Sequence, residues 1–280
     1  KEYQTKILYS EVLFLLNRYH RLLILIILIL ISIFSWFYTI TGVGMNMSAW
    51  HMTLLNLNLI SHSNSMEMMG HGKAYNVFLD FILLFFMWFF MMTAMMLPSV
   101  IPFVIMFQKI NEERKKLQYQ YVETFNFALS YIAVWGLFSF LATFIHLILK
   151  ISNVLNSHTM SIGYLLGGIL FILAGIYQMT PLKDSCLYYC RNPIELFSSN
   201  KIFSNWSAFY VGLKHGFFCV GCCWVLMLLL FYVGVMNLFW IAGLSIYIIL
   251  EKYFFRSKKM NYISGILIIL WGIRIFYISF

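Results

Sequence analysis

The sequence predicts an all-α fold: a polytopic transmembrane helical bundle of about seven helices, with the amino terminus in the cytoplasm and the carboxyl terminus outside. Three observations predict it. Hydrophobic residues make up 62% of the chain and charged residues 10%, against about half and about a quarter in soluble domains. Several apolar runs reach the roughly 20 residues that a helix needs to cross a hydrocarbon core about 30 Å thick. In lipid the backbone must satisfy its own amides, which makes each run a helix. The cations, finally, collect on alternate connections between the runs.

In order, the runs are 21–41, 76–98 with a continuation past Pro98, 123–149, 160–180, 207–235, 238–254 and 261–279. Lys1, Lys6, Arg18 and Arg21 precede the first run, and Lys109, Arg114, Lys115 and Lys116 follow the second. Lys183, Arg191 and Lys201 follow the fourth, and Lys252, Arg256, Lys258 and Lys259 follow the sixth. By the positive-inside rule these connections share the cytoplasmic side, and the opposite side receives Lys73 and Lys150. The net charge of +9 is then a topology signal, with some attraction to the headgroups of membrane lipids, and not a footprint for nucleic acid. The first run continues through Phe34, Trp36, Phe37 and Ile40, longer than a signal-peptide core, so it reads as an anchor. Loops are short, so residues 1–280 read as a single multi-pass domain of the plasma membrane.

The first outer loop, 42–75, departs from a plain connector. It carries Met45, Met47, His51, Met52, His62, Met66, Met68, Met69 and His71 among Ser, Asn and Gly. Thioether and imidazole suit copper, and only Glu67 and Asp80 lie nearby for harder ions. Chance is the competing reading, since the chain holds 17 methionines and a biased segment gathers some. In the second run Met87, Met91 and Met95 recur every four residues on one helix face. Such a stripe alone reads as packing. Pro98 and Pro102 then free backbone carbonyls near the inner end.

The fifth run holds Lys214, His215, Gly216, Cys219, Gly221, Cys222 and Cys223. His215, Cys219, Cys222 and Cys223 fall at i, i+4, i+7 and i+8, one stripe about two turns long. One helix offers two or three ligands, and a second must supply the rest. Met91 and Met95 lie at a comparable depth and are candidates for it. Close packing through Gly212, Gly216 and Gly221 is the alternative, although a histidine in a span is costly unless used. A third cluster, Cys186 and Cys190, follows Pro181; a short helix there turns both thiols toward one partner, enough for two-coordinate Cu(I) and too few for structural zinc. All five cysteines are expected as thiols, since they fall on the reducing side or inside a helix.

Three ordered motifs carry a resemblance. They are Trp88, Met91 and Ala94 to Pro98; Tyr177-Gln178, Thr180 to Lys183, Cys186, Cys190-Arg191 and Pro193; and His215-Gly216, Cys219 to Trp224, Met227 and Gly234 to Asn237. In these the chain resembles the predicted metal-binding integral membrane proteins, a family long classed as a domain of unknown function. The resemblance implies a multi-helix membrane protein that binds metal, and it brings no catalytic residue.

The ten acidic residues fall in loops or at helix ends, so no mid-membrane carboxylate relay or di-iron centre is expected. No phosphate-binding glycine loop, nucleophile elbow or HExxH motif occurs. The leading expectation is copper handling, with copper ahead of zinc, no catalysis of its own and a copper donor or acceptor protein as partner. An alternative is a non-catalytic auxiliary subunit of a larger membrane complex, such as a copper-dependent monooxygenase or oxidase. A third class is an enzyme with an outer copper site drawn from His51, His62, His71, His146, His158 or Asp80.

Overall fold

A computed structural model of the chain describes residues 2–42, 48–56, 77–114, 120–155, 161–192, 205–255 and 257–278. Among these residues the regular structure is helical, apart from one antiparallel bridge between Leu155 and Ile162. The elements are α1 (Glu2–Thr41), α2 (Ala49–Asn56), α3 (Val77–Arg114), α4 (Gln120–Ile151), α5 (Tyr164–Gln178), α6 (Pro181–Arg191), α7 (Asn205–Leu228), α8 (Leu230–Val233), α9 (Leu238–Tyr253) and α10 (Lys258–Ile278).

Among the described residues five segments are long and apolar enough to cross a membrane: Leu22–Thr41, Val77–Lys109, Val122–Ile151, Trp206–Val233 and Lys258–Ile278. A sixth is the bent pair α5 and α6, whose axes meet at 63°. The remaining expected span, α9, has 16 residues and is about 24 Å long at 1.5 Å per residue. Contacts nonetheless show α3, α4, α5, α7, α9 and α10 running alternately in opposite directions. Asp80 of α3 meets Lys150 of α4, and at the other end Phe103 stacks on Phe127. His215 of α7 lies beside Phe103 and Phe231 beside Trp88, while Ser245 and Lys252 of α9 follow Met95 and Ser99 of α3.

Small residues set how closely the helices approach. A Cβ on Gly212 would stand 2.5 Å from the Phe127 carbonyl of α4, and one on Gly216 would stand 2.9 Å from the Val134 side chain. In α7, therefore, Gly212 and Gly216 are packing residues. The core is methionine- and aromatic-rich: Trp88, Met91, Met92, Met95, Met96, Phe107 and Phe127 are fully buried. Leu, Ile and Phe side chains on the outer faces of α1, α4 and α10 are exposed, as expected of surfaces that face lipid.

Pro98 and Pro102 lie inside α3 and remove two amides from its ladder. Hydroxyls from neighbouring helices gather on the carbonyls around this stretch. Ser245 donates to Met95 at 3.2 Å, Tyr131 to Met96 at 3.4 Å and Tyr253 to Ser99 at 2.6 Å. These hydroxyls make a polar patch beside the prolines inside an apolar bundle, and the candidate site forms next to it.

Candidate metal site

α6 forms because Thr180 caps its first turn, its Oγ1 accepting from the Lys183 amide at 3.4 Å, and because Pro181 stands at the first helical position. One face of this helix turns inward with Lys183, Leu187 and Cys190 buried. Five contacts fix it. The Tyr177 hydroxyl, just before it, donates to the Gly221 carbonyl of α7, and Tyr189 stacks on Phe218 at 4.4 Å between ring centroids. Asn261 of α10 donates to Asp184 at 2.9 Å. Arg191 donates to the carbonyls of Glu251 and Phe255 at 2.7 and 2.5 Å, capping the end of α9.

Gly221 is what lets α6 close on α7. A Cβ there would lie 2.9 Å from the Cys186 sulfur, so any larger residue pushes the thiol away. With the helices this close, the Cys190 side chain interacts with those of Cys219 and Cys222, and Cys186 lies within electrostatic reach of Cys222. Cys190, Cys219, Cys222 and Cys223 are buried and Cys186 is partly exposed; all five are free thiols. The Cys222 and Cys223 thiols donate to the Cys219 carbonyl at 3.1 and 3.0 Å. Among the described residues no three His, Cys, Asp or Glu side chains surround a common point as ligands of a metal ion would. The donor set still fits a soft monovalent ion, because two-coordinate Cu(I) requires two thiolates and no tetrahedral cage.

Cys219 has two further partners. Tyr131 Oη of α4 lies 3.2 Å from its sulfur, and Lys252 Nζ of α9 donates to it at 3.0 Å and to Ser99 Oγ at 2.9 Å. Beside them is a second polar cluster. Lys183 pairs with Glu251 at 2.7 Å, with both side chains inaccessible, and also donates to Gln178 Oε1. Gln178 donates to Glu251 at 2.6 Å, and so does Tyr247 at 3.2 Å.

Glu251 falls at a helix end, as expected, but this cluster and the Lys252 contact show that the end is not solvated. Glu251 and Lys252 do end a helix, yet they are 1% and 4% exposed, because α6 folds over that end. Glu123, in the first turn of α4, is also buried.

The remaining expected ligands are placed elsewhere. His215 is buried one turn before Cys219 and stacks on Phe103 at 3.7 Å, with Phe127 and Tyr131 further along the same aromatic slot. Met91 and Met95 are buried in the core; what α3 presents to Cys219 and its partners is the Met96 carbonyl and Ser99. His146 accepts from the Trp88 indole at 3.3 Å near the far end of the bundle. His51 lies on α2, its Nδ1 buried without a partner among the described residues. Met45, Met47, His62, Met66, Met68, Met69, His71 and His158 lie outside the described residues.

A family model described as "PpoB2: Copper chaperone" matches residues 85–275. The chain belongs to the PpoB2 copper chaperone family. The match spans α4 to α7 and α9, nearly all of α3 and α10, and every thiol of the site, and it leaves out the methionine- and histidine-rich segment 45–71. It agrees with the resemblance to metal-binding membrane proteins, and the family's name points to copper. No curated protein and no solved structure matches the chain. Sequence reasoning passed over Lys252, Tyr131 and Ser99 as site residues. The tyrosine and serine are ordinary residues in a span, and the lysine doubles as a topology charge.

Proposed function

We propose that this PpoB2 protein is an integral membrane copper chaperone that holds Cu(I) between thiolates of α6 and α7, Cys190 on one side and Cys219 or Cys222 on the other. The observation that carries the reading is the close approach of α6 to α7 at Gly221, where a Cβ would lie 2.9 Å from the Cys186 sulfur, with Cys190, Cys219 and Cys222 buried on the two helices, in a chain whose family is named for copper. Thiolates favour Cu(I) over the hard ions, and burial protects the complex from water and competing ligands. Cys186, partly exposed on the same helix, is the thiol through which copper enters or leaves. The lysine and arginine distribution supports an orientation with this site on the cytoplasmic side and with 42–75 outside. There the methionines and histidines collect the ion, and His215, Met91 and Met95 line its way inward. A copper donor or acceptor protein completes the route.

The test is metal content by mass spectrometry on detergent-purified protein loaded with copper under a reductant. Near-stoichiometric copper is expected, lost when Cys190, Cys219 and Cys222 are changed to Ser and kept when segment 45–71 is replaced. Copper that survives the triple change and disappears with the segment would move the site to the other end. A preparation that never holds copper above background would reject the reading.

A further inference from the structure

We infer that Lys252 is the buried counter-charge that selects a monovalent metal ion at the thiol site; this rests on the copper reading above. Lys252 is 4% exposed, and its hydrogen-bond partners among the described residues are Ser99 Oγ and the Cys219 sulfur. The ion pairs among the described residues are Lys150 with Asp80 and Lys183 with Glu251, so no described carboxylate sits on Lys252. The neighbouring Glu251 is committed to Lys183, Gln178 and Tyr247. The field of Lys252 reaches Cys190, Cys222 and Tyr131 as well as Cys219, that is, thiols from both helices of the proposed site.

Charge counting then discriminates between ions. A monovalent ion between two thiolates makes a complex of charge minus one, which Lys252 brings to zero. A divalent ion between the same thiolates is neutral alone and leaves the lysine uncompensated, whereas four thiolates around it leave a net negative charge. An uncompensated charge in a dry interior is strongly disfavoured, so the ammonium favours Cu(I) and Ag(I) and opposes Zn(II) and Cd(II). Transfer from a donor needs no oxidant. Two copper–sulfur bonds to the donor break, two to this chain form, and the protons of the two accepting thiols pass to the thiolates left on the donor. Lys252 touches no copper; it acts by positioning and compensating Cys219.

The test compares the full chain in detergent with Lys252→Met and Lys252→Arg, with Cys219→Ser as the ligand control. Cu(I), Ag(I), Zn(II) and Cd(II) affinities are read anaerobically by chelator competition. Lys252→Met is expected to weaken Cu(I) and Ag(I) by roughly 10–100-fold, the range for residues that support metal ligands, with Zn(II) and Cd(II) unchanged or tighter and Lys252→Arg near the parent. If Lys252→Met does not elute as a folded monodisperse species, Lys252→Gln takes its place. Parent-like Cu(I) affinity without the charge, or an equal loss for all four ions, overturns the inference while leaving the copper reading intact. Absence of Cu(I) binding by the parent overturns both.

Discussion

Two lysines are buried side by side in this protein, and their partners differ. Lys183 faces a carboxylate, Glu251, with Gln178 and Tyr247 completing a hydrogen-bonded cluster. Lys252, the next residue after Glu251, faces a thiol and a serine hydroxyl. A carboxylate can neutralise an ammonium permanently, and the first cluster holds α5, α6, α9 and α10 together. A thiol at an ammonium is a group whose other business is binding soft metals. The first lysine belongs to the architecture and the second to the proposed thiol site.

The largest expected effect comes from breaking the architectural pair. Glu251→Gln leaves the Lys183 ammonium buried and without its counter-charge, at a cost of about 3–5 kcal/mol. Thermal unfolding in detergent should show a much lower midpoint or no cooperative transition. Joint replacement by Lys183→Met and Glu251→Leu sharpens the point. Because a buried pair exchanged for apolar residues is often neutral, most of the loss should return, although Gln178 and Tyr247 lose a partner. If the double variant is as unstable as the single one, the cluster is held by its hydrogen bonds and the ion pair is incidental.

Next comes the packing that joins the two lysine environments. Gly221→Val places side-chain atoms against the Cys186 sulfur, 2.9 Å from the Cβ position, and overpacking of this kind costs about 1–3 kcal/mol. Oxidative cross-linking of Cys190 to Cys219 or Cys222 should fall with it, since α6 must move off α7. A smaller stability change, below about 1.5 kcal/mol, is expected for Lys252→Met, because its partner is a thiol able to exist uncharged and no ion is stranded. Its effect should appear in metal binding instead. Equal destabilisation by Glu251→Gln and Lys252→Met would break the distinction between the lysines.

The smallest effect belongs to the opposite end of the bundle. Asp80 and Lys150 approach to 2.6 Å, but their side chains are 29% and 38% accessible, and a pair so open to solvent is worth under about 1 kcal/mol. Asp80→Asn should leave the unfolding midpoint nearly unchanged.

Much of this was legible in the chain. Apolar runs of membrane length announce helices, since lipid admits no unpaired backbone. A 3.6-residue period put His215, Cys219, Cys222 and Cys223 on one stripe, and Thr180-Pro181 is a helix start that turns Cys190 inward. Those are local facts of geometry along a single helix. Which helix the thiols would meet was another matter. The bonds from Lys252 to Cys219, from Tyr131 to Cys219 and from Lys183 to Glu251 span 33, 88 and 68 residues, and no periodicity encodes a partner at such separation.

The sequence by itself determined an all-helical chain with segments long and apolar enough to cross a membrane, and with soft ligands gathered in a few of its segments, because composition and period act within each helix. Only the tertiary structure decided that α6 folds back on α7, bringing separate cysteine motifs to one helix interface, and that this fold buries Glu251 and Lys252. Burial depends on what covers a residue. At the end of α9 the cover is a helix some 60 residues earlier in the chain, admitted by the missing side chain of Gly221.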